Sequence, residues 1–251
     1  MAHFLEHMIF MGSVKYPQEN AFSTHLTKYG GSNNAYTNSE DTSYYFEVTQ
    51  EHLESSLDYF AAQLKEPLML KQAVEREREA IESEFQIQSK SDGIRVYQLL
   101  HSLATNDYPH DNFIWGNLKS LKDDIESEED LLENMHRFYK RHYSAHRMCV
   151  CMQAPLTLNE LETLAYKYFG DLPNNQLDAI DFTQYNYQLA FKKEFYEEVF
   201  FVKSIENICN LSLTWILPCT EHMYKCKPDN FLGHLLGYEG EGSLCAFLRK
   251  R

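Results

Sequence analysis

The stretch Met1-Ala2-His3-Phe4-Leu5-Glu6-His7 decides how the rest of the chain is read. His3 and His7 are four residues apart, so on a helix their imidazoles leave one face, one turn above the other. Glu6 follows His3 by three and shares that side. Two imidazoles and a carboxylate converging on one point make a metal site with its own base. Zinc takes imidazole nitrogen readily, and a catalytic zinc keeps one position for water, whose pKa it lowers to about 7. A third protein ligand has to come from elsewhere in the chain.

Working outward, the spacing predicts a helix from the start to about Met11, ended by Gly12 and Ser13. Ala21, Phe22, Leu26 and Tyr29 mark a second helix, which Gly30 and Gly31 break. Ala35 to Val48 is rich in aromatic and β-branched residues around a polar turn and predicts a two-stranded hairpin. Glu51–Leu64 has an apolar face of Leu53, Leu57, Phe60 and Leu64. A long charged helix follows from about Lys71 to Ser89. Opposite charges at short spacing there suit a solvated helix laced with ion pairs, yet Glu77 and Glu84 lie seven apart on one stripe. An acidic helix of this kind can supply the missing ligand.

Further helices are predicted over Ser91–Ala104, Ser127–Tyr143, Thr157–Phe169 (with Thr157 and Glu160 at capping-box spacing) and from Pro228 to Leu236. Strands are predicted at Met148–Gln153, Leu189–Phe191, Glu197–Lys203 and Asn210–Pro218. Weak periodicity over Gln176–Gln188 reads as a domain linker. His101 and His110 lack partners at ligand spacing and read as surface or capping residues.

Composition narrows the function classes. With 251 residues, 14% aromatic and 24% charged, the chain can bury a core in one large domain or two ordinary ones. The net charge of −14 disfavours nucleic acid as a partner and suits basic peptides, although such a charge first of all keeps a protein in solution. The six cysteines form no Cys-x-x-Cys pair, and they read as reduced thiols of a cytosolic protein. No apolar run reaches membrane-spanning length, and no leader peptide is legible.

The sequence resembles the pitrilysin family of zinc metallopeptidases, whose reversed zinc motif, His-x-x-Glu-His, is the inverzincin signature. The likeness is carried by His3–Gly12 (HFLEHMIFMG), Lys15–Asn20 (KYPQEN), Gly30–Ala35 (GGSNNA) and Ala80–Glu84 (AIESE). Trp115–Asn117 (WGN), Leu213–Pro218 (LTWILP), Gly237–Ser243 (GYEGEGS) and Phe247–Lys250 (FLRK) lean toward its nardilysin branch rather than the insulysin branch. The resemblance implies an α+β fold, a mixed or antiparallel sheet packed with helices. It divides the chain into a zinc-binding peptidase domain over 1–182, without its first strands, and the beginning of a related inactive-type domain over 183–251.

It further implies one Zn2+ held by His3, His7 and Glu84. Glu6 would be the general base that deprotonates the zinc-bound water, and Glu77 an auxiliary acid. Asn34 and Ala35 would lie on a strand edge that pairs with an extended substrate. Tyr238, Glu239 and Gly240 would fall in a substrate-anchoring loop, where the family commonly has His in place of Tyr238. The implied activity is hydrolysis of peptides near basic or dibasic residues, in the cytosol with mitochondrial or cell-surface pools. The family's C-terminal half is an implied partner absent from this chain, which reads as a fragment. The alternative is a non-catalytic binding or regulatory module.

Overall fold

A computed structural model describes residues 1–106, 108–109, 113–185 and 190–250. The chain forms two compact units, Met1–Asn207 and Ile208–Arg251.

The first unit is built around α1 (Ala2–Ile9). Phe4, Leu5, Met8 and Ile9 are at most 1% exposed, so a helix of eight residues is buried nearly all round. Such a short helix is marginal in water, and packing rather than propensity holds it. It ends at Phe10, and Gly12 then takes a φ of +105°. A side chain there would be strained, and its Cβ would meet the Pro17 carbonyl oxygen at 2.9 Å. That turn brings Ser13 into a bridge with Pro67.

Around α1 stand α2 (Ala21–Lys28), the hairpin β1 (Ser32–Thr37) and β2 (Thr42–Glu47), α3 (Leu53–Lys65) and α4 (Lys71–Gln88). Next in sequence come α5 (Asp92–Ser102), α6 (Glu128–His142) and α7 (Leu158–Phe169). The core joins α1 to Leu57, Ala61 and Leu64 of α3, Val74 and Ile81 of α4, Leu131 and Met135 of α6, and Phe169 of α7. Tyr44 and Phe46 of β2 close it from the sheet side. The hairpin is antiparallel, from Ser32 opposite Glu47 to Thr37 opposite Thr42, and forms a sheet of two strands among the described residues. β1 therefore keeps one unpaired edge. This is the α+β architecture the sequence implies.

The expected helices are present, each within a few residues of its predicted ends, and Thr157 and Glu160 form a full capping box. α5 is separated from α4 by a break at Ser89–Ser91. A π-helical turn at Lys119–Asp123 and α9 (Leu244–Arg249) were not anticipated from the sequence. The hairpin starts at Ser32, earlier than the aromatic run suggested, because the pairing continues past Asn33 and Asn34.

Three predicted strands are absent. Met148–Gln153, Glu197–Lys203 and Asn210–Pro218 are extended or irregular, with no strand partner among the described residues. A strand is held by hydrogen bonds to a neighbour, and an alternating apolar pattern cannot supply one. Cys149, Val150 and Cys151, expected in a buried strand, are exposed. Of the segment 189–191, Leu189 lies outside the described residues, while Phe191 bridges to Ala104. His110 also lies outside them. His101 is buried at 5% exposure with its ring 4.4 Å from that of Tyr97, so it is not a surface residue.

The second unit holds α8 (Pro228–Gly237), opened by Pro228 at its first turn, and α9. Among the described residues, no helix in either unit is long and apolar enough to cross a membrane.

Candidate metal centre

α1 and α4 cross so that the two sequence signals meet. On α4, Glu77 and Glu84 share a stripe with the buried Val74 and Ile81, which seats both acids toward α1. One ligand atom each from His3, His7 and Glu84 lies within 4.8 Å of the others. Glu84 Oε2 is 3.5 Å from His3 Nε2 and 3.7 Å from His7 Nε2. Tetrahedral zinc with bonds near 2.0–2.1 Å sets its ligands about 3.4 Å apart, so these separations need little adjustment.

The other ring nitrogens are also engaged. His3 Nδ1 lies 2.8 Å from the Trp115 carbonyl oxygen, and His7 Nδ1 lies 3.1 Å from Glu77 Oε2. A carbonyl oxygen only accepts, so His3 carries its proton on Nδ1 and turns the Nε2 lone pair toward Glu84. Glu77 does the same for His7. Burial works to lower the His7 pKa, but the hydrogen bond to Glu77 and the charges of Glu77, Glu84 and Glu6 outweigh it and leave it raised. Two imidazole donors, each fixed from behind, and a carboxylate facing them fit a divalent zinc ion.

Glu6 is 7% exposed on the same helix, and its Oε2 accepts a 2.5 Å hydrogen bond from Thr37 Oγ1. Among the described residues, none donates to Oε1. Asn34 and Ala35 lie in β1, the strand with the open edge. Tyr238, Glu239 and Gly240 belong to the second unit, where Glu239 is paired with Arg249.

Two contributors escaped the sequence. Trp115 acts through its backbone, which no side-chain pattern announces. The neighbouring Gly116, at φ +111°, was the only hint of a special turn. Thr37 is one of several hydroxyl residues on the hairpin, and only the packing of the hairpin against α1 singles it out.

Comparison with known proteins identifies the family. Residues 1–117 match the profile of Insulinase (Peptidase family M16), and residues 130–251 match the profile of the Peptidase M16 inactive domain. The chain belongs to the M16, or insulinase, peptidase family. Within M16 it is similar to nardilysin of Homo sapiens, 38% identical over the whole of this chain and 22% of that protein. It is 35% identical to the insulin-degrading enzyme of Homo sapiens, over the whole of this chain and 24% of that protein. The crystal structure of pitrilysin superposes with a TM-score of 0.75 at 25% identity, covering 99% of this chain and 26% of that one. The chain thus spans about a quarter of the length of the curated M16 relatives it matches.

Proposed function

We propose that this chain carries the zinc centre of an M16 metalloendopeptidase and takes part in hydrolysing peptides near basic residues. The observation that carries the reading is the convergence of His3, His7 and Glu84 with a buried carboxylate, Glu6, on the same helix. When bound, zinc would supply a Lewis acid that lowers the pKa of water and polarises the scissile carbonyl. Glu6 would take the proton of the attacking water and return it to the leaving amine. Glu77 would hold His7 in its ligating tautomer. The open edge of β1 at Asn34 and Ala35 would pair with the extended backbone of the peptide. Tyr238, Glu239 and Gly240 would help anchor it. The net charge of −14 suits a basic peptide. A division into a zinc domain over 1–182 and a related domain from 183, and a cytosolic location for the protein, complete this reading.

One observation favours a second reading, a module that binds another polypeptide without cutting it. In the second unit, Leu211, Trp215, Phe231 and Phe247 are 56–81% exposed, an unusual density of open apolar side chains. One experiment separates the two. The purified chain should bind about one zinc and cleave a dibasic peptide, and Glu6→Gln should abolish cleavage while zinc is retained. Zinc-loaded protein with no turnover supports the binding module.

A further inference from the structure

Glu6 is not simply a buried acid; one of its two oxygens is committed. Thr37, the last residue of β1, gives its hydroxyl proton to Glu6 Oε2. Thr37 Oγ1 is also 3.2 Å from Thr42 Oγ1, directly across the hairpin. The Tyr143 hydroxyl lies 2.6 Å from that of Tyr44. An ionised carboxylate can only accept, and a hydroxyl has one proton to give. Thr37 therefore spends its proton on Glu6 and can only accept from Thr42. The phenols hold their protons firmly. Burial pushes Tyr143 up to about 12 and Tyr44 well above the ordinary phenol range.

We infer that Thr37 is the positioning residue for the Glu6 carboxylate: by occupying Oε2 it makes Oε1 the oxygen that exchanges protons. This rests on the reading of Glu6 as the base. The contact is anchored in the hairpin, an element separate from α1, where Thr37 pairs with Thr42. A carboxylate tied at one oxygen cannot swing between rotamers, and misplacement of a reacting group by about 1 Å can cost about 100-fold in rate.

The decisive variants are Thr37→Val, which keeps the shape and removes the hydroxyl, and Thr37→Ser, which keeps the hydroxyl. In the zinc-loaded chain acting on a dibasic peptide, T37V should lower kcat by about 10- to 100-fold with KM unchanged. T37S should recover most of it. A merely structural role would not split kcat from KM or be rescued by serine. Unchanged kcat in T37V, or a loss in T37S as large as in T37V, overturns the inference. A second measurement needs neither turnover nor a variant. In NMR spectra of the wild-type chain, the Thr37 hydroxyl proton should be protected from exchange and show a nuclear Overhauser effect to the Glu6 γ-methylene. A freely exchanging hydroxyl overturns the inference whatever the kinetics. A protected hydroxyl in a wild-type chain that cuts no peptide rejects the peptidase reading and leaves the Thr37–Glu6 contact standing.

Discussion

Glu77 Oε2 reaches His7 Nδ1 at 3.1 Å, so the acid seven residues before Glu84, the proposed carboxylate ligand, orients a proposed imidazole ligand on another helix. One face of α4 thus both closes the proposed metal site and aligns it. Loss of such a partner costs about 10- to 100-fold in metal affinity. Glu77→Ala should therefore weaken zinc binding by that factor, read by competition with a chromogenic chelator. An unchanged affinity would show that His7 needs no partner.

Zinc should in turn stabilise the fold. A ligand at 100 times its Kd adds about 2.7 kcal/mol, and His3, His7 and Glu84 come from two helices that only the folded chain brings together. Removing zinc with a chelator should lower the urea midpoint accordingly. In Glu84→Ala the same treatment should have a much smaller effect.

Gly116 supports His3 indirectly, through the Trp115 carbonyl. At φ +111° a side chain is strained, and its Cβ would sit 3.3 Å from Ile81 Cγ2 and 3.5 Å from Leu121 Cδ1. Gly116→Ala should cost about 1–3 kcal/mol in denaturant unfolding. It should weaken zinc binding as well, because the carbonyl moves. Destabilisation with full zinc affinity would separate the loop from the site.

Asp92 provides a pH-dependent clamp. Its carboxylate accepts the backbone N–H groups of Glu206 and Ile205 at 2.9–3.0 Å, and Arg95 at 2.6 Å. The two backbone bonds, to Glu206 first and then Ile205, hold its pKa below the ordinary value, and the Arg95 bond and charge add to this against the opposing effect of burial. A depressed folded pKa gives stability that is complete above the unfolded value, about 3.9, and is lost as pH falls through the folded one. The Ile205 and Glu206 amide resonances should shift together in acid, below about pH 4. Asp92→Asn should remove that transition.

Leu5 is fully buried in α1, beside Glu6. Leu5→Ala should cost about 2–5 kcal/mol and loosen the metal site with the core. Calorimetry and zinc titration should therefore fail in parallel. Normal zinc affinity in a destabilised variant would show that the site holds without α1 packing.

Much of the chain was legible because its signals are local. Helix spacing, Gly12 after α1 and the Thr157–Glu160 box are read within a few residues, and each of them holds. The strands at 148–153, 197–203 and 210–218 were misread because the apolar alternation is a local property and the pairing is not. Phe201 and Leu211, at 95% and 81% exposure, show the pattern without the partner.

By itself the sequence determined the chemistry on offer: His3, Glu6 and His7 on one helical face, and a second helix with Glu77 and Glu84 on one stripe. Only the tertiary structure decided which atoms meet. The crossing of α1 and α4 selects Nε2 of both histidines for Glu84, Glu77 and Trp115 hold the opposite nitrogens, and Thr37 takes one oxygen of Glu6. The reason is physical: residue spacing fixes direction along one helix, whereas a ligand distance between two helices is set by the core residues packed between them.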